Sequence, residues 1–135
     1  AIYAIMTYPV VSRFCSVGSC ASSPYARGSG MGKTFVDNTK ICGLIVAAII
    51  TFLYTVGIIF TPYILFNNYS LPVEFIIKII FIIVVIIGLL ALFAFAFSKL
   101  MERKIGGITG DTLGALLEIS SLVYIFLLLV IPSFL

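Results

Sequence analysis

The residues with the most chemical potential lie in one stretch, Gly106-Gly107-Ile108-Thr109-Gly110-Asp111-Thr112-Leu113-Gly114-Ala115, entered through Lys99, Arg103 and Lys104. Basic residues leading into a glycine run that opens a helix suit a pyrophosphate. A helix N-terminus offers unpaired N–H groups and the positive end of its dipole. Gly106, Gly107, Thr109, Gly110 and Thr112 are therefore candidate phosphate-binding positions. Asp111 is the one acid in the run. It either caps the helix or holds Mg2+ against phosphate oxygens. Glu118, two helical turns on, falls on the same face, about 10 Å away by helical rise. Gly110 and Gly114 equally fit close packing of two helices through small residues.

A second glycine-bearing stretch reads Pro24-Tyr25-Ala26-Arg27-Gly28-Ser29-Gly30-Met31-Gly32-Lys33-Thr34-Phe35. It resembles a P-loop only in part. The Walker pattern needs glycine five positions before its Gly-Lys pair. Arg27 stands there, and no strand pattern precedes it. What remains is a flexible loop whose backbone N–H groups can cradle a phosphate. Tyr25, Arg27, Gly30, Gly32 and Lys33 are its candidate residues, and a loop lying at a membrane surface is the plain alternative. Arg13 is the other anomaly, since an arginine inside an apolar stretch needs a carboxylate, a phosphate or water. Glu118 or a ligand phosphate would serve.

The elements that must position these residues follow from composition. The 135-residue chain is 62% apolar and 10% charged, with no His and no Trp. A soluble domain carries about 25% charged residues. A core this small cannot hide so much apolar surface, and disorder requires the opposite bias. The chain is expected to be an all-α polytopic membrane protein, and the absent histidines remove imidazole-based catalysis and metal binding. Cys15, Cys20 and Cys42 have neither Cys-x-x-Cys spacing nor His partners and read as small apolar fillers.

A spanning helix needs about 20 mostly apolar residues. About four spans are expected, over 1–23, 41–66, 75–97 and 113–135. Asp37-Asn38-Thr39 is expected to cap the second, Asn67-Asn68-Tyr69-Ser70 to form a turn, and Asp111-Thr112 to cap the fourth. Pro72 is placed in the first turn of the third, where proline is tolerated. Six of the eight basic residues fall in segments 24–40 and 98–111, and none in 67–74. The positive-inside rule makes the two glycine-rich basic loops cytoplasmic. Lys78, one turn after Glu74, reads as a snorkelling residue. Nothing in the pattern calls for a nucleic acid.

Taken in order, Ser12-Arg13, Tyr25-Ala26-Arg27, Gly30-Met31-Gly32 with Phe35, and the Gly106 to Ala115 run with Glu118 resemble the C-terminal half of cobalamin synthase, the adenosylcobinamide-GDP ribazoletransferase family. The resemblance covers nearly the whole chain, and the glycine run is its most specific part. It implies a Mg2+-dependent enzyme of the prokaryotic inner membrane that acts at the last joining step of cobalamin assembly. A hydroxyl of α-ribazole, or of its phosphate, attacks the cobinamide-side phosphate of adenosylcobinamide-GDP, and GMP leaves. Positioning and positive charge around the phosphates are what such a transfer needs from protein. Arg13, Arg27 and Glu118 are then the candidate catalytic residues and Asp111 the candidate Mg2+ ligand, with Glu118 second.

The family resembled also carries an acidic Asp-Gly-x-x-Asp-x-x-Asp-Gly type motif in an N-terminal half, and this chain has none. The expectation is a fragment or separately encoded half, inactive alone, whose partner is the missing half or another copy. Two other readings stay open. One is a different membrane phosphotransferase acting on a nucleotide-activated alcohol. The other is a non-catalytic transport subunit with Arg13 and Glu118 lining a path.

Overall fold

The computed structural model describes residues 2–65 and 72–134, and they are helical almost throughout. Five helices follow in order: α1 Ile2–Ser22, α2 Met31–Asn38, α3 Ile41–Leu65, α4 Val73–Ile105 and α5 Gly110–Phe134. Among the described residues, α3, α4 and most of α5 are long and apolar enough to cross a membrane. Helix α1 has 21 residues but is less apolar, diluted by Arg13 and its serines. It is the hub, packing against α3, α4 and α5. Of the four expected spans it is the one that is not apolar enough by composition among the described residues, and it is held by packing among its neighbours.

The core lies where α1, α4 and α5 meet, on Val11, Cys15, Ile86, Leu90, Ala94, Leu116 and Tyr124. Small polar residues of α1 make the close contacts. Ser19 and Ser98 share a buried hydrogen bond of 2.6 Å, as do Thr7 and Tyr124, and the Cys15 thiol points to the Leu90 carbonyl at 3.8 Å. This is the packing expected between membrane helices, where small residues let backbones approach and each interhelical hydrogen bond contributes about 0.6 kcal/mol. All three cysteines are free.

Element ends differ from expectation in four places. The third long helix does not stop near 97 but runs to Ile105, because Lys99, Leu100, Met101, Glu102, Arg103 and Lys104 are all good helix formers. It ends on Gly106, whose φ of 82° is left-handed and whose N–H bonds the Glu102 carbonyl at 3.0 Å. Residues 31–38, expected as loop, form α2, so Asp37 and Asn38 close that helix rather than cap the next, and Thr39 is its C-cap. Pro72 is the N-cap of α4 rather than a residue of its first turn. Helix α5 starts at Gly110, capped by Thr109 and not by Asp111. The expected turn at 67–70 lies outside the described residues.

Candidate functional site

The two glycine-bearing loops are joined by backbone. Ala26 donates to the Ile108 carbonyl and Ile108 donates to the Pro24 carbonyl, both at 2.9 Å, a small parallel bridge between Tyr25 and Ile108. Gly107 makes the bridge possible. Its φ is 155°, and a Cβ there would collide with the Pro24 carbonyl oxygen and the Ala26 nitrogen. Ile108 is fully buried and joins Cys20 of α1 and Val36 of α2 in a second small core, with Tyr25, Met101 and Leu113 around it. An anchor therefore lies beneath the loops, and a glycine scaffold lies above it.

Helices α2 and α5 start side by side on this scaffold. A Cβ on Gly32 would lie 2.9 Å from the Tyr25 ring and 3.4 Å from the Gly110 nitrogen, so the missing side chain makes room for the Tyr25 ring where the two N-termini adjoin. Helix α2 begins at Met31, and its N-cap, Gly30, offers no side-chain cap. Helix α5 is closed by a reciprocal pair: Thr109 N–H donates to Thr112 Oγ1 at 2.7 Å, and Thr112 N–H donates to Thr109 Oγ1 at 3.3 Å. Thr109 and Thr112 therefore satisfy each other. The N–H groups of Met31, Gly32, Gly110 and Asp111 have no acceptor among the described residues. Two positive helix ends with free donors have the chemistry to accept an anion.

The basic residues divide. Arg27, Arg103 and Lys104 are exposed at this end of the molecule. Lys33 turns back onto its own loop, donating to the Gly28 carbonyl at 2.8 Å. Lys99 is held by Glu102 at 2.7 Å and lies 5.8 Å from the centre of the Phe95 ring. Glu102 also accepts from Ser23 at 3.1 Å, a clamp between the ends of α1 and α4. Ser23, Glu102 and Ile108 are not among the residues expected from the sequence pattern. An acid among bases hints at Glu102, but nothing local marks a backbone bridge between distant loops.

Asp111 is exposed in the first turn of α5, beside the free N–H groups. Among the described residues no cluster of three or more metal-binding side chains forms. Mg2+ is usually held by one or two carboxylates, substrate phosphates and water. Asp111 fits as one such ligand and does not by itself make a site. Arg13 and Glu118 are not brought to the loops. Each lies roughly 12–14 Å along its helix from the loop end, by helical rise. Both are exposed, and they form no ion pair with each other. The Arg13 guanidinium folds back to the Pro9 carbonyl at 3.3 Å.

Comparison with known proteins places this arrangement in context. The family described as Cobalamin-5-phosphate synthase matches residues 1–129. An adenosylcobinamide-GDP ribazoletransferase of Fusobacterium nucleatum subsp. nucleatum is 81% identical over 134 residues, which is 99% of this chain and 48% of that protein. Proteins of the same name from Clostridium acetobutylicum and Clostridium tetani are 34% and 35% identical, over 90% and 87% of this chain and 40% and 39% of their own lengths. The chain thus spans about half the length of the curated relatives it matches. No solved structure matches it. With the family match running from residue 1 to 129, the chain belongs to the cobalamin-5-phosphate synthase family.

Proposed function

We propose that this chain supplies the phosphate-binding half of an adenosylcobinamide-GDP ribazoletransferase. The observation that carries the reading is the convergence of the α2 and α5 N-termini across Gly32 and Gly110. The pyrophosphate of adenosylcobinamide-GDP lies across the free N–H groups, with Arg27, Arg103 and Lys104 supplying positive charge around it. A ribazole hydroxyl attacks the cobinamide-side phosphorus. The bond from that phosphorus to the bridging oxygen breaks, and GMP leaves with the bridging oxygen. The hydroxyl proton passes to water. Mg2+, with Asp111 as one ligand, would offset charge on the phosphate oxygens. The loops face the cytoplasm, where the nucleotide substrate is found, and the bundle lies in the inner membrane.

Arg13 and Glu118 support a further part of this reading. A charge at the bilayer centre costs roughly 3 kcal/mol on insertion scales. Two exposed charges at mid-helix would not be left to lipid, so the surface around each is covered by the remainder of the enzyme. The test is reconstitution. The chain alone should release no GMP from adenosylcobinamide-GDP and α-ribazole. Co-expression with the remaining half of a close relative should restore release in a Mg2+-dependent way. Turnover by the chain alone would overturn the divided-site reading, and no turnover with both halves would overturn the activity.

A further inference from the structure

Helix α2 presents three different faces through three i,i+4 pairs. Gly32 and Val36 are buried, Gly32 beside the Tyr25 ring and Val36 against Cys20 and Ile108. Lys33 and Asp37 carry charge on a second face. Met31 and Phe35 make the third, and they are 95% and 69% exposed. Of the five helices α2 is the most strongly amphipathic, and it has little net hydrophobicity. Two large apolar side chains on an eight-residue polar helix are not explained by the anion site, which uses backbone N–H groups and glycines.

Position says what covers them. Only Thr39 and Lys40 separate α2 from α3, a reach of at most about 11 Å. Helix α3 is apolar from its first residue, and Ile41, Ile45 and Ile49 are exposed along it. The hydrocarbon boundary therefore begins within that reach of α2. Segments 24–40 and 98–111 together carry six basic residues against three acidic ones, and Arg27, Lys40, Arg103 and Lys104 are exposed. A short helix with a basic surround and a Met/Phe face suits the headgroup region of an anionic leaflet, where such a face sits about 5–10 Å deep.

We infer that α2 is an interfacial helix that seats Met31 and Phe35 in an anionic lipid surface, holding the glycine scaffold at the membrane face. The chain has no Trp, so Phe35→Trp introduces a single reporter into it. The protein is reconstituted in vesicles of phosphatidylcholine and phosphatidylglycerol, and parent emission is subtracted to remove any tryptophan elsewhere. With lipids brominated near the glycerol end of the acyl chain, Phe35→Trp should lose at least about half its emission and resist iodide. Asp37→Trp, on the charged face, should behave oppositely and so controls for folding. Iodide quenching of Phe35→Trp equal to that of Asp37→Trp would overturn the inference. So would emission from Phe35→Trp that neither bromolipid nor iodide quenches, because that places the face against protein. Should Phe35→Trp fail to fold, Met31→Trp provides the same readout.

Discussion

At the scale of single residues, the site depends on glycines for two separable reasons. Gly106 needs its left-handed φ of 82° but has open space around it. Gly107 needs both an unusual φ and the missing Cβ, because the Pro24 carbonyl and the Ala26 nitrogen stand where a Cβ would be. Gly106→Ala should therefore cost about 1–2 kcal/mol of stability, the penalty for a left-handed residue with a side chain, and leave the loop bridge intact. Gly107→Ala should break the bridge, making the Arg27 bond much more sensitive to trypsin in native membranes than it is in Gly106→Ala. Equal trypsin sensitivity of the two variants would contradict this assignment. Thr109 has a different role. As the α5 cap its loss to alanine should cost about 1 kcal/mol, read as a lowered Tm. Asp111→Asn should leave Tm close to the parent value, because the structure gives its side chain no capping bond.

At the scale of elements, helix ends were harder to read than helix bodies. The existence of α3 and α5 follows from mostly apolar runs of about 20 residues, the second interrupted only by Glu118, Ser120 and Ser121 before its end. The overrun of α4 does not. Charged residues from Lys99 to Lys104 mark where the bilayer ends, and a helix can continue beyond that until Gly106 stops it. Helix α2 was hidden by Gly30 and Gly32, which weaken any helical pattern, and by its length of eight residues. Its one sequence signal is the Gly32/Val36 pair set against Met31/Phe35. The polar stripe of α1 carries a prediction of its own. Ser19 and Ser98 form a buried pair that ties α1 to α4. A double-mutant cycle with Ser19→Ala and Ser98→Ala should give a coupling near 0.6 kcal/mol in detergent unfolding. A coupling of zero would mean that the hydrogen bond merely accompanies close packing.

At the scale of the molecule, the candidate site was legible as two glycine-rich basic loops at one end of the bundle. Their fusion into one scaffold was not, because the bridge runs through backbone groups of Pro24, Ala26 and Ile108 that no side-chain type announces. Arg13 and Glu118 stand out in the sequence as anomalous charges, and the structure leaves both exposed and apart from the loops. Under the proposed function both lie on surfaces that the rest of the enzyme covers; the chain spans about half the length of its relatives. With the free, exposed Cys42 replaced by serine, Arg13→Cys should react with a water-soluble maleimide when the chain is purified alone in detergent, and should be protected when the complete enzyme is assembled. Equal labelling in both would mean that the remainder docks elsewhere.

The claim that joins these scales is that the adjoining N-termini of α2 and α5 bind the substrate's pyrophosphate. Gly32→Val tests it most directly, because a branched side chain there would push between the Tyr25 ring and the Gly110 nitrogen and separate the two helix starts. The measurement is the kinetics of GMP release from adenosylcobinamide-GDP by the complete enzyme. The account predicts a KM raised at least about tenfold, equivalent to roughly 1.4 kcal/mol, with membrane insertion and expression unchanged. Parent-like KM and kcat in a correctly inserted Gly32→Val enzyme would contradict it.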